Sequence, residues 1–272
     1  MLAGSHRKLE NDHAALSNPS FRSCRNPPVR EGVIVTAFSP RLDILPPSQR
    51  VLWPELQAVP EHFTLYGGTA LALRLGHRSS VDFDFFSNER FDPDQLAGQI
   101  AFLRDAERVQ VEANTLSCRV ERGGPVLVSF FGHLGLGQAS PRDQVEGMAL
   151  QVASLLDLAG TKAAVVQKRA EAKDYLDIDA LIREGIGLPT VLAAGRVVYG
   201  RSFNPLITLK ALSYFEDVPA LPATVQERLA AAVLAVDPAR LPELTPFHAR
   251  RQRFFEVSDR SWSLPTRRPL RS

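Results

Sequence analysis

Apolar residues are spaced in two ways along this chain of 272 residues. Short strand-like runs are interleaved with helical spacing up to about residue 150, and the C-terminal half is helical. The stretch from Phe63 to Phe86, FTLYGGTALALRLGHRSSVDFDFF, reads as strand, glycine turn, helix, polar loop and strand. Phe63 to Tyr66 is a short β-prone run, and Gly67 and Gly68 follow where a chain leaving a sheet needs free backbone angles and room beside a ligand. Thr69 is placed to cap a helix over Ala70 to Leu75, which Gly76 ends. Val81 to Phe86 alternates, sending Val81, Phe83 and Phe85 to a core and Asp82 and Asp84 to the other face. Asp92 to Arg104 has helical spacing, with Leu96, Ile100 and Leu103 on one face and Pro93 in the first turn. Val109 to Val111, Thr115 to Val120 and Pro125 to Phe131 read as a meander whose clearest turn is Arg122-Gly123-Gly124, and Leu150 to Ala153 adds a short strand.

Beyond that strand, Ser154 and Asp157 form a capping pair for a helix that runs through Lys162. No Gly or Pro interrupts residues 161 to 184, so one long helix and two helices broken near Glu171 both fit. Pro189 to Tyr199, Pro205 to Phe215 and Thr224 to Val236 are further helices divided by Gly and Pro. Ahead of Phe63, Pro46 and Pro47 punctuate the entry, and Ser48 caps a short helix containing Val51, Leu52, Trp53 and Leu56. The expectation is an α+β chain: a small mixed β-sheet with flanking helices over residues 46–148, then a helical C-terminal half over 149–246. Residues 1–45 are expected to form an extension outside the fold, and 247–272 a basic tail.

Composition narrows the setting. At 44% hydrophobic and 23% charged the chain is globular. A formal net charge of +2 and a pI near 8.7 are too mild to identify a nucleic-acid binder from totals. Cys24 and Cys118 build no disulfide framework, and no apolar run is long enough to span a bilayer, so the expected location is the cytoplasm and no membrane partner is expected. The tail interleaves Arg250, Arg251, Arg253, Arg260, Arg267, Arg268 and Arg271 with Phe254, Phe255 and Trp262. A surface that meets RNA and a solvated basic end both fit it.

Asp82 and Asp84 carry the sharpest chemistry. Two carboxylates on one strand face repel each other unless water or a cation relieves them, and paired Asp oxygens with open positions suit a hard ion such as Mg²⁺. Joined to Gly67 and Gly68 ahead of a helix, they form a phosphate cradle beside a divalent-metal site, as transfer of a nucleotidyl group from a triphosphate requires. Arg78 and Ser80, in the loop before the aspartates, are candidate phosphate or nucleotide contacts. On a continuous helix Lys162, Arg169 and Lys173 share one face at offsets of seven and eleven, a positive stripe for a triphosphate or an RNA backbone.

The spacing hydrophobic-Gly-Gly, thirteen residues, Asp-hydrophobic-Asp-hydrophobic resembles the nucleotidyltransferase superfamily that includes DNA polymerase beta. The fuller string LYGGTALALRLGHRSSVDFDFF, with Lys162, Arg169, Lys173, Asp174 and Asp177 in KAAVVQKRAEAKDYLDI, is similar to the AbiEii/AbiGii toxin family of minimal nucleotidyltransferases. The resemblance implies a nucleotidyltransferase core that moves NMP from an NTP to an acceptor hydroxyl with Mg²⁺ or Mn²⁺ on Asp82 and Asp84. It further implies catalytic roles for Lys162, Asp174 and Asp177, and nucleotide binding by Gly67, Gly68, Thr69, Arg78, Ser80, Arg169 and Lys173. The implied acceptor is RNA, with the tRNA 3′ end in view, and the implied partner is a cognate antitoxin in a toxin-antitoxin or phage-defence pair. Where superfamily members often carry a third carboxylate on a later strand, VLVSFF has Ser129, so Asp174 or Asp177 is expected to complete the site. Transfer to a small molecule and NTP binding without transfer are the rival readings.

Overall fold

The computed structural model describes residues 37–247. Eight strands, β1 (Ala37–Phe38), β2 (Thr64–Tyr66), β3 (Asp82–Phe86), β4 (Glu107–Glu112), β5 (Thr115–Glu121), β6 (Pro125–Phe131), β7 (Asp143–Val145) and β8 (Gln151–Val152), form one mixed sheet. Their order is β1-β7-β8-β2-β3-β6-β5-β4. Eight α-helices accompany them: α1 (Pro47–Leu52), α2 (Gly67–Leu75), α3 (Pro93–Gln99), α4 (Leu155–Val165), α5 (Ala172–Arg183), α6 (Leu188–Tyr199), α7 (Pro205–Ala211) and α8 (Ala223–Leu234). The fold is α+β with a helical C-terminal half.

β3 lies inside the sheet, antiparallel to β2 and parallel to β6. Its period-two pattern buries Phe83 and Phe85 completely. Phe85 stacks on Phe130 of β6, and Phe83 meets Trp53 from the segment after α1. The opposite face carries Asp82 and Asp84. Val81 departs from the expected alternation: the strand starts at Asp82, and Val81 is exposed at the end of the loop.

α2 begins directly at Gly67 and ends on Gly76, whose φ of +62° is the left-handed conformation that closes many helices. Asp92 caps α3 by accepting from the Gln95 amide, but the expected single helix stops at Gln99 and passes into a 3₁₀ turn over Ala101–Leu103. The run from residue 161 to 184 is two helices. α4 ends at Val165 and α5 starts after Glu171, so both fitted the sequence and tertiary contacts chose. α4 is buried around its circumference from Asp157 to Ala164, the mark of a central helix. A Cβ at Gly160 would come within 2.8 Å of the Ala194 backbone, so this glycine lets α4 and α6 approach.

The expectation that residues up to 45 lie outside the fold is corrected for 37–45. β1 pairs in parallel with β7, Ile44 and Leu45 are buried, and the Arg74 guanidinium sits 4.2 Å from the Phe38 ring centroid. The apolar residues here are few but adjacent to docking partners, which a count over the whole leader obscures. The rest of the extension and the arginine-rich tail beyond Phe247 lie outside the described residues. Among the described residues Cys118 is a buried free thiol, and no helix is long and apolar enough to cross a membrane.

Asp157, in the first turn of α4, is fully buried. Its Oδ1 accepts from the Ala139 amide at 2.6 Å, tying the loop after β6 to the helix, while Oδ2 has no partner among the described residues. Burial pushes its carboxyl up to about 6, against hydrogen bonds from Ala139 and Ser154 that favour the charged form. A folded pKa above the unfolded value means that the native state binds the extra proton. Stability from this group is therefore greatest below the unfolded pKa and is lost as pH rises towards about 6. Asp157→Asn, which cannot ionise, is expected to gain about 2–3 kcal/mol relative to wild type between acid and neutral pH. Urea titrations across that range measure it, and a flat difference refutes it.

Candidate active site

The site is assembled on the face of β3 that carries the aspartates. Asp84 is in register with Tyr66 of β2 on one side and Ser129 of β6 on the other. Gly67 turns the chain from β2 into α2 with φ +76°, and a Cβ there would meet Asp84 Oδ2 at 2.6 Å. Glycine is required twice over, by the backbone angle and by the carboxylate lying against it. A Cβ at Gly68 would run into the Arg78 guanidinium.

Thr69 departs from both expectations for it. The N-cap of α2 is Tyr66, and Thr69 is buried inside the first turn, where its hydroxyl donates to the Asp82 carbonyl and lies 2.8 Å from Ser80 Oγ. It braces α2 against β3 and does not line the cavity in front of the aspartates. That cavity, about 440 Å³, is bounded by Asp82 and Asp84 and by Gly68, Ser80, Arg78, Lys162, Arg169 and Lys173. Segments eighty residues apart in the chain thus meet across one cleft. The three later cations arrive differently from the stripe expected of one helix: Lys162 is on α4, Arg169 in the turn and Lys173 on α5, and the turn folds them together.

Buried carboxylates hold Arg78, Lys162 and Arg169 in place, while Lys173 pairs with the partly exposed Glu171. Lys162, almost wholly buried, reaches Asp174 Oδ1 at 3.0 Å and Asp177 Oδ2 at 2.6 Å. Arg169 Nε donates to Asp174 Oδ2 at 2.8 Å. Arg78 takes Asp177 in a two-pronged grip, Nε to Oδ1 at 2.7 Å and Nη2 to Oδ2 at 2.9 Å, and His77 Nε2 is 2.7 Å from the same Oδ1. Burial alone would raise the Asp177 carboxyl, but hydrogen bonds from His77 and Arg78 and the charge of Lys162 hold it well below the usual carboxylate range. The expectation that Asp174 or Asp177 stands in for the absent third acid meets this geometry: both have zero exposure, both are ion-paired, and neither lines the cleft. His77 is a loop residue that is not among the candidates drawn from the sequence. Its only signal was its position between the Gly76 cap and Arg78.

Asp82 and Asp84 stand in the opposite condition. Among the described residues neither forms an ion pair, although four cations share their cavity. Burial and then the neighbouring Asp82 charge push the Asp84 carboxyl up to about 6, with partial relief from Lys162, Arg169 and Lys173. Two close, partly desolvated carboxylates without an ion-pair partner among the described residues fit a hard cation that completes its shell with water and substrate oxygens. Among the described residues no group of three or more His, Cys, Asp or Glu side chains is arranged to hold a metal ion. Ser129 occupies the position beside Asp84, buried and 3.0 Å from Ser117 Oγ, and no carboxylate takes its place.

The sequence profile of the Nucleotidyl transferase AbiEii toxin family, Type IV TA system, matches residues 50–256, which contain both halves of this site. The chain belongs to that family. This AbiEii chain is a nucleotidyltransferase and the toxin component of a toxin-antitoxin pair. It is 32% identical over 158 residues to the uncharacterized protein aq_aa25 of Aquifex aeolicus (strain VF5), a match that covers 57% of this chain and 74% of that protein. Its fold is similar to MenT4, a nucleotidyltransferase toxin from Mycobacterium tuberculosis H37Rv, at a TM-score of 0.46 and 19% identity over 77% of this chain and 88% of the other.

The two kinds of aspartate in the AbiEii chain are separable by stability. Asp177→Ala would strip His77 and Arg78 of their carboxylate and leave Lys162 with Asp174 alone, and is expected to cost about 3–5 kcal/mol. Asp82→Ala, which breaks no ion pair, is expected to cost less than about 1 kcal/mol. Chemical denaturation of both variants measures the contrast, and equal losses would refute the division of roles.

Proposed function

We propose that the protein transfers a nucleoside monophosphate from an NTP to a hydroxyl of RNA, with the tRNA 3′ end as the first acceptor to test, and that Asp82 and Asp84 hold Mg²⁺ or Mn²⁺ for the reaction. The observation that carries this reading is that two carboxylates in no ion pair among the described residues share one cleft with four cations. The bound ion supplies charge neutralisation at the phosphate oxygens. Arg78, Lys162, Arg169 and Lys173 draw the β- and γ-phosphates into the positive side of the cleft, with Gly68 and Ser80 giving room and hydrogen bonds. Asp174 and Asp177 are positioning residues that fix Lys162, Arg169 and Arg78 before substrate arrives.

In the transfer the acceptor oxygen bonds to the α-phosphorus as its bond to the bridging oxygen breaks. Pyrophosphate departs with that electron pair, and the acceptor's proton passes to water, since Ser129 is no base. Rate acceleration comes from alignment and from fixed positive charge around the departing pyrophosphate. A cognate antitoxin restrains the harm this does in the cell, and the cytoplasm is where NTPs and RNA meet it.

Incubation of the purified protein with α-labelled NTPs, Mg²⁺ and total RNA is expected to label RNA. Asp82→Ala should lower labelling by at least about a hundredfold without lowering the melting temperature. Undiminished labelling by that variant would overturn the metal assignment, and label on a small metabolite in place of RNA would overturn the acceptor.

A further inference from the structure

A second cavity, about 220 Å³, opens on the same face of the sheet, with Tyr66, Phe86, Thr64, His62, Gln138 and Arg142 in its lining. Tyr66 pairs with Asp84 and Thr64 with Phe86 across β2 and β3. Residues 84 and 86 point the same way, so this cavity begins one side-chain row beyond the aspartates, about 7 Å along β3.

Its chemistry differs from that of the cationic cleft. Arg142 is the sole Lys or Arg in its lining, held by bonds from Nη1 to Thr64 Oγ1 at 3.0 Å and the Glu61 carbonyl at 3.3 Å. Tyr66 and Phe86 stack at 4.8 Å between centroids and 15° between planes. Tyr66 is 4% exposed, yet among the described residues its hydroxyl has no hydrogen-bond partner. A buried phenol ordinarily finds one. Here the hydroxyl belongs to a cavity wall, where solvent or a ligand supplies it. With one arginine and one acid, Glu89, among aromatic, hydroxyl and amide side chains, the lining offers no cationic cradle for a triphosphate and suits an unpaired base, which proteins take up on aromatic rings and polar edges.

The direction of the reaction says which base. In an in-line displacement the attacking oxygen and the leaving pyrophosphate lie on opposite sides of the α-phosphorus. With pyrophosphate drawn to Arg78, Lys162, Arg169 and Lys173, the acceptor enters from the side away from them, and along β3 that is the Phe86 side. We infer that this second cavity is the acceptor subsite, taking the unpaired terminal nucleoside of an RNA with its base beside Tyr66 and Phe86 and its phosphate at Arg142. This inference rests on the transferase reading above.

The test uses the full chain, Mg²⁺ and a fluorescein-labelled single-stranded pentaribonucleotide ending in CCA. Fluorescence anisotropy gives its affinity, and calorimetry gives the affinity for the preferred NTP. Tyr66→Phe and Arg142→Gln are each expected to weaken the oligonucleotide about fivefold and to leave NTP affinity unchanged. Tyr66→Phe should not lower the melting temperature, because the hydroxyl it removes has no partner within the described protein. Unchanged oligonucleotide affinity in Tyr66→Phe, or weakened NTP affinity in its place, overturns the subsite. If wild type labels RNA and the variants keep its KM for RNA, the RNA reading stands and only the subsite falls. If wild type neither labels RNA nor binds the oligonucleotide, both fall.

Discussion

The contact on which the rest of the site depends is the buried grip of Asp174 and Asp177 on Lys162, Arg169, Arg78 and His77. A lone buried charge is severely penalised, and a buried pair is tolerated only when its geometry satisfies nearly every donor and acceptor. Asp177 meets that demand with three donors from two distant segments: His77 and Arg78 from the loop after α2, and Lys162 from α4. The network therefore locks the loop that leads into β3 against the helical half. It also turns side chains with many rotamers into fixed positive charge, the form in which charge is most useful to a phosphoryl-transfer site.

That rigid positive wall faces a negative pair left deliberately incomplete. Among the described residues Asp82 and Asp84 gain no ion pair, even from the four cations around them, and the raised Asp84 carboxyl reports the cost of desolvation and like charge. Such a cost persists where a ligand relieves it. Gly67 contributes by having no side chain, since a Cβ would occupy the space taken by Asp84. The sheet supplies the rest of the order: one face of β3 buries Phe83 and Phe85, and the other presents, in sequence, the two aspartates and then Phe86 with the aromatic cavity. The proposed triphosphate and acceptor sides would thereby lie along a single strand.

Several elements were legible before any fold was known, and each has a local cause. The alternation DFDFF marks a strand with its acids on one face, Gly76 marks a helix end, and Asp92 marks a helix start; all three depend on residues within one or two turns of each other. Where local signals tied or misled, the deciding contacts were distant. Thr69 is an excellent cap by composition, but the helix starts three residues earlier because Gly67 turns straight out of β2, and the hydroxyl is spent on the Asp82 carbonyl. The stretch from 161 to 184 is helix-prone throughout. It breaks because Arg169 and Lys162 must both reach Asp174, which a straight helix does not allow at offsets of five and twelve.

By itself, then, the sequence determined the chemical inventory: a glycine turn, two aspartates on one strand face, and a second set of cations and acids eighty residues later that together mark an AbiEii nucleotidyltransferase. Local periodicity and residue chemistry carry that much. Only the tertiary structure decided the assignment of duties. It put Asp82 and Asp84 in the open cleft and Asp174 and Asp177 behind the cations, and it brought residues 37–45 into the core. It also put Tyr66 and Phe86 in a cavity one side-chain row beyond Asp84. A carboxylate's role depends on what surrounds its oxygens, and those surroundings come from chain segments that no local window contains.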